Sequence, residues 1–69
     1  MKLSARNVIQ GKIKSVKKGP ISTLVVLEIA PGVELASVIT SDGAGALKLR
    51  KGQPAYAIIK ASNVMIGTD

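Results

Sequence analysis

Apolar and polar positions alternate early in the chain. Between Asn7 and Val16, the residues Ile9, Gly11 and Ile13 fall on one face, and Lys12 and Lys14 on the other. That period of two predicts a strand with one wet side. Lys17-Lys18-Gly19-Pro20 predicts a turn, because glycine tolerates positive φ and proline fixes its own. Residues 21–30, ISTLVVLEIA, break the alternation. The odd positions are Ile21, Thr23, Val25, Leu27 and Ile29, while the even ones also carry Leu24, Val26 and Ala30, interrupted by Ser22 and Glu28. An antiparallel strand with one solvated face alternates more cleanly than this. A chain this small has no second layer to cover the extra face, so a neighbouring subunit is expected to cover it.

Pro31-Gly32 predicts a type II turn, and residues 33–40 complete a hairpin with residues 21–30. Residues 41–49, SDGAGALKL, are the one stretch suited to a helix, capped by Ser41 or Asp42 and kept short by two glycines. Lys51-Gly52-Gln53 predicts another turn. A fourth strand is expected over residues 54–61, with Pro54 at its first position, where the missing N–H does least harm. Ser62-Asn63 breaks it, Val64-Met65-Ile66 reads as a short fifth strand, and residues 67–69 as a tail. The predicted fold class is all-β: an OB-like, five-stranded small barrel with one short helical turn between strands 3 and 4.

Composition narrows the picture. The 69 residues form one domain, 1–69. A domain of this size buries only about 60% of its unfolded surface. Disulfides, a structural metal or oligomerisation usually supply the missing stability. The chain has no Cys and no His, which rules out disulfides and a cysteine–histidine zinc site and leaves oligomerisation. Ten Lys and Arg against four Asp and Glu give a net charge of +6, which points to anionic partners. No apolar run reaches the roughly 18 residues of a membrane span. The opening MKLSARNVIQGK has no signal-peptide hydrophobic region, so a cytoplasmic protein is expected.

Catalysis has little to work with. Glu28 and Glu34 flank the Pro-Gly turn, Asp42 begins the helical stretch, Asp69 ends the chain, and no pair of them is placed for acid–base work. There is no GxxxxGK[ST] loop for nucleotide phosphates. Two stretches do combine a cation with small hydrogen-bonding residues: Ser4-Ala5-Arg6-Asn7 before the first strand and Lys60-Ala61-Ser62-Asn63 at the end of the fourth. Backbone N–H groups, hydroxyls and one or two cations can surround a tetrahedral dianion without any metal, and alanine lets the main chain approach closely. Each stretch alone also has an ordinary reading. Arg6 fits a solvated strand start, Lys60 a snorkelling lysine, and Ser62-Asn63 a turn former. As a pair in one barrel they form a candidate oxyanion site.

In order along the chain, SARN, QGKI, KKG, VVLEI, SVITSD, KLRKGQPAYAIIKAS and NVMIG resemble the molbindins, free-standing molybdate-binding proteins of the TOBE type. The resemblance implies an OB-like barrel that binds molybdate, and also tungstate, for intracellular storage or homeostasis. It implies a homohexamer built as a trimer of dimers, with oxyanions at subunit interfaces, no catalysis, no organic cofactor, and molybdenum present only as the oxyanion. By the same resemblance, Ser4, Ala5 and Arg6 are half of the site, and Lys60, Ala61 and Ser62 the other half, contributed by a different subunit. Asn7 and the loop Gly19-Pro20-Ile21 are additional candidates. The segment DGAGA at 42–46 departs from the family, being richer in glycine than the acidic helical turn expected there.

The competing reading is an OB-fold nucleic-acid-binding module, favoured by charge and barrel shape. Tyr56 is the only aromatic residue, and single-strand binders stack bases on aromatic side chains. The expected partners are therefore small oxyanions and further copies of the chain, with no nucleic acid and no membrane.

Overall fold

The structure is a computed structural model that describes all residues 1–69. Its elements are β1 (Asn7–Lys18), β2 (Ser22–Ala30), β3 (Val33–Thr40), α1 (Ser41–Leu47), β4 (Pro54–Ile59) and a 3-10 turn at Ala61–Asn63. The strands form one antiparallel sheet in the order β3-β2-β1-β4.

β1 is longer than the alternation alone suggested. Lys17 and Lys18 belong to it, paired with Leu24 and Thr23, so the turn tightens to Gly19–Ile21. Within β1 the register shifts between Ile13 and Ser15. This bulge lets the buried Ile13 and the half-buried Val16 both face inward despite their odd spacing. Gly11 is required by close packing, because a Cβ there would sit 2.7 Å from the Glu28 carbonyl oxygen. In the β2–β3 turn Gly32 adopts φ +75°, the conformation that a type II turn demands at its third position.

The inner face collects Ile13, Val25, Leu27 and Ala57 as its buried centre, with Ile9, Val16, Ile29, Leu35, Ile39 and Leu49 packed around them. Only six residues of the 69 are buried. The outer face of β2 leaves Leu24 exposed and Val26 half-covered, as its two-sided apolar pattern anticipated.

α1 covers one end of the sheet. Its N-cap is Thr40, whose Oγ1 accepts a 3.0 Å hydrogen bond from the Gly43 N–H, and not Ser41 or Asp42. Ser41 is engaged elsewhere. Its Oγ donates to the Gly19 carbonyl at 2.7 Å and shares a 2.8 Å hydrogen bond with the fully buried Thr23 hydroxyl. The helix ends at Lys48, which takes a left-handed φ of 53° and whose N–H donates to the Ala44 and Gly45 carbonyls.

The expected fifth strand does not form. Val64-Met65-Ile66 has no ladder partner, and β4 ends at Ile59, before Lys60 and Ala61. An apolar run suits a strand, but a strand also needs a neighbour to bond. In one chain the turn at 61–63 leaves this segment in solvent, with Met65 91% and Ile66 86% exposed. The architecture is an all-β half-barrel of four strands and one short helix, open between β3 and β4.

Replacing Gly11 with alanine forces β1 and β2 apart at the Glu28 carbonyl. We expect a loss of about 1–3 kcal/mol, the scale of overpacking in a tight site. It is read as a lowered thermal midpoint; a midpoint matching wild type would show that the strands accommodate the methyl group.

Candidate functional site

The two cationic stretches meet because of strand register. β1 and β4 run antiparallel with Asn7 opposite Ile59 and Val8 opposite Ile58. Continued outward, that register sets Arg6 facing Lys60, Ala5 facing Ala61 and Ser4 facing Ser62. The 3-10 turn bends the second half, yet Ser4, Ala5, Arg6, Lys60, Ala61 and Ser62 all line one open cleft, together with Ile58. Read outward from the paired strands, the halves are Arg-Ala-Ser and Lys-Ala-Ser. Each half places its cation next to the paired strands and its serine farthest from them. The resemblance assigned the second half to a different subunit; within one chain the halves already adjoin, because β4 pairs directly with the start of β1.

Strand alternation fixes which side the cleft occupies. Val8 and Ile58 are exposed while Asn7 and Ile59 are half-buried, so the positions two residues outward, Arg6 and Lys60, share the outer face. Asn7, the first residue of β1, does not line the cleft. Gly19-Pro20-Ile21 lies at the opposite end of β1, held against α1: the Gly19 N–H donates to the Ser22 carbonyl at 2.9 Å, and the Ser41 N–H to the Ile21 carbonyl at 2.8 Å. In one copy this loop is separated from the cleft by the length of the strand. Ile58, which the sequence reading missed, was detectable as the residue two before Lys60 on the same strand.

Electrostatically, the cleft offers donors without acceptor carboxylates. The one ion pair of the chain joins Lys14 to Glu34 across the outer face of β2. Arg6 and Lys60 have no carboxylate partner. Arg6 brings a planar fork of donors and Lys60 a compact ammonium, beside the Ser4 and Ser62 hydroxyls. At the 3-10 turn, Asn63 N–H donates to the Lys60 carbonyl at 2.9 Å and Val64 N–H to the Ala61 carbonyl at 3.2 Å. The N–H groups of Ala61 and Ser62 open the turn, where no carbonyl of the turn is available to them. Two cations, two hydroxyls and free amides beside small side chains can bind an anion, and the cleft lining contains no carboxylate. No group of three or more His, Cys, Asp or Glu residues is placed to hold a metal ion. No helix is long and apolar enough to cross a membrane.

The model of the TOBE domain matches residues 3–66. A protein of Haemophilus influenzae named "Probable molybdenum-pterin-binding protein" is 41% identical over 69 residues, covering 100% of both chains. Among solved structures, MopII from Clostridium pasteurianum in an apo form superposes with a TM-score of 0.91 at 39% identity, covering 97% of this chain and 100% of that one. A molybdate-bound structure of ModG, described as a cytoplasmic molybdate-binding protein, superposes with a TM-score of 0.93 at 38% identity, over 100% of this chain and 49% of that one.

The Lys14–Glu34 pair gives a pH signature outside the cleft. The hydrogen bond that Lys14 donates to the Glu34 carboxylate, followed by that carboxylate's charge, holds the Lys14 ammonium above the ordinary 10.5. The stability it contributes is present below pH 10.5 and is lost as pH rises through the raised value. Glu34→Gln should remove it, so the thermal midpoints of wild type and variant should converge above pH 10.5; a gap that stays constant with pH would show that the pair contributes nothing through charge.

Proposed function

The chain belongs to the TOBE-domain family, in its short molbindin form, and from that membership we propose that it binds molybdate at the cleft between Ser4-Ala5-Arg6 and Lys60-Ala61-Ser62. The observation that carries the reading is the β1–β4 register, which brings two cation–alanine–serine stretches together with no carboxylate among them. Relatives matched over their whole length are named as molybdenum-pterin-binding proteins, and a molybdate-bound neighbour shares the fold.

The protein works by binding, without a catalytic step. The dianion neutralises Arg6 and Lys60, accepts hydrogen bonds from the two serine hydroxyls, and takes up the amides at the start of the 3-10 turn. Charge-assisted bonds of this kind are stronger than neutral ones. Tungstate has the same shape and charge and enters the same cleft. Sulfate is smaller and fills it less well. Phosphate is partly protonated at neutral pH, and a lining made of donors leaves its O–H without an acceptor. Asn7 holds the start of β1 in register, and the Gly19-Pro20-Ile21 loop reaches a cleft only from another copy. The working form is a homohexamer, a trimer of dimers whose subunit boundaries close the cleft over the anion. Its role is storage and homeostasis of the oxyanion in the cytoplasm.

Isothermal titration with molybdate, tungstate, sulfate and phosphate tests this reading. We expect molybdate and tungstate to bind and sulfate and phosphate to bind more weakly. Arg6→Ala and Lys60→Ala should each weaken molybdate binding by about 1–3 kcal/mol, the scale of a lost hydrogen bond to a charged group. Sulfate held as tightly as molybdate, or unchanged affinity in both variants, would remove the cleft as the site. A salt-sensitive shift of single-stranded nucleic acid, in place of oxyanion binding, would favour the OB-module reading.

A further inference from the structure

We propose that Ile58 sets the anion selectivity of the cleft: its side chain is an apolar wall that penalises sulfate more than molybdate or tungstate. The proposal deepens the oxyanion reading of the cleft and rests on it. Seven residues line the cleft, and six of them bring two cations, two hydroxyls and two methyl groups. Ile58 is the seventh. It is the one large apolar side chain there, and it offers an anion neither a hydrogen-bond donor nor a charge.

Strand geometry puts the wall in place. Ile58 lies two residues before Lys60, so both point to the outer face. The core on the inner face, around Ile13, Val25, Leu27 and Ala57, does not include it. Ile58 stays 49% exposed, and Val8, directly across the β1–β4 ladder, is 41% exposed. The wall is firm nonetheless. Isoleucine is β-branched and restricted at χ1, and the cross-strand contact with Val8 supports it from the side.

Such a wall discriminates between anions of equal charge. A dianion that leaves water must regain hydrogen bonds from the lining or bear their loss. Oxygens turned toward Arg6, Lys60 and the serines regain them, and an oxygen turned toward Ile58 does not. The cost of unreplaced hydration rises as an ion of fixed charge shrinks. Sulfate, the smaller dianion, therefore loses more against the wall. The larger anion also gains more. Its shell reaches the isoleucine methyl groups while its other oxygens keep their donors, and each such contact adds dispersion. Attraction to the two cations acts on both dianions and largely cancels from the comparison, because selectivity is a difference of affinities.

Isothermal titration of wild type, Ile58→Thr, Ile58→Ala and Ile58→Val with molybdate and with sulfate tests the assignment, with thermal unfolding of each variant as a check on folding. Ile58→Thr keeps the β-branch and adds a hydroxyl donor, Ile58→Ala opens the wall to water, and Ile58→Val keeps it apolar. We expect the ratio of molybdate to sulfate affinity to fall about tenfold in Ile58→Thr, the scale of one hydrogen bond to a charged group, chiefly through tighter sulfate binding. It should fall in the same direction in Ile58→Ala and stay near the wild-type value in Ile58→Val. If Ile58→Thr does not fold, Ile58→Ala decides the matter. A ratio unchanged in the folded variants, or an equal loss for both anions, overturns the proposal, because a residue that only packs spares or weakens both alike. A wild type that binds molybdate no better than sulfate overturns the cleft reading and this one together. A wild type that prefers molybdate, with the preference kept in Ile58→Thr and Ile58→Ala, overturns the role of Ile58 alone.

Discussion

The antiparallel pairing of β1 with β4 is the contact on which the rest of the molecule depends. It joins the beginning of the chain to a strand near its end, Asn7 beside Ile59 and Lys12 beside Pro54. A contact this distant in sequence costs loop-closure entropy, and the inner face offsets it by packing Ile13 against Ala57. The ladder continues past Pro54, as Ile13 N–H donates to the Gln53 carbonyl at 2.9 Å and Gly52 N–H to the Ile13 carbonyl at 2.7 Å. The same register that aligns the core also aligns the two cationic stretches beyond the strand ends, so the fold and the cleft share one cause.

Charge distribution follows from that arrangement. Glu28 and Glu34 stand directly opposite on β2 and β3, a like-charge pair relieved by Lys12, which is registered with Glu28, and by Lys14, which pairs with Glu34. Two of the four carboxylates are thereby committed to the β1–β3 side of the outer face. The cleft at the β1–β4 end keeps Arg6 and Lys60 facing each other with no counter-charge. Such a site is unfavourable when empty and strengthened by any dianion it admits.

The incomplete barrel is the other half of the design. A sheet of four strands with two open edges buries little of itself, and the apolar residues 64–66 lie outside it. The two-sided strand β2, with Leu24 and Val26 on its outer face, adds a second apolar surface that one copy does not cover.

Much of this was legible in the chain. Alternation marked the strands, Pro31-Gly32 marked the hairpin, and β3 begins and ends where the pattern placed it, because these signals are local. The paired small-residue stretches were visible too, as was their likeness to one family. What local pattern could not decide was where partners lie. The bulge after Ile13 keeps Val16 inward and carries β1 on to Lys18, a matter of pairing with β2. Thr40 caps α1 because the Ser41 hydroxyl is drawn to Thr23 and Gly19, a contact across 18 and 22 residues. Val64-Met65-Ile66 looked like a strand by composition, but a strand exists only beside another edge. The sequence by itself determined that there would be four strands and a short helix, in this order, and which residue types the cleft would carry. The tertiary structure alone decided that Ser4-Ala5-Arg6 meets Lys60-Ala61-Ser62 within one chain and that the last apolar segment stays outside it, because hydrogen-bond partners far apart in sequence are chosen by the folded sheet.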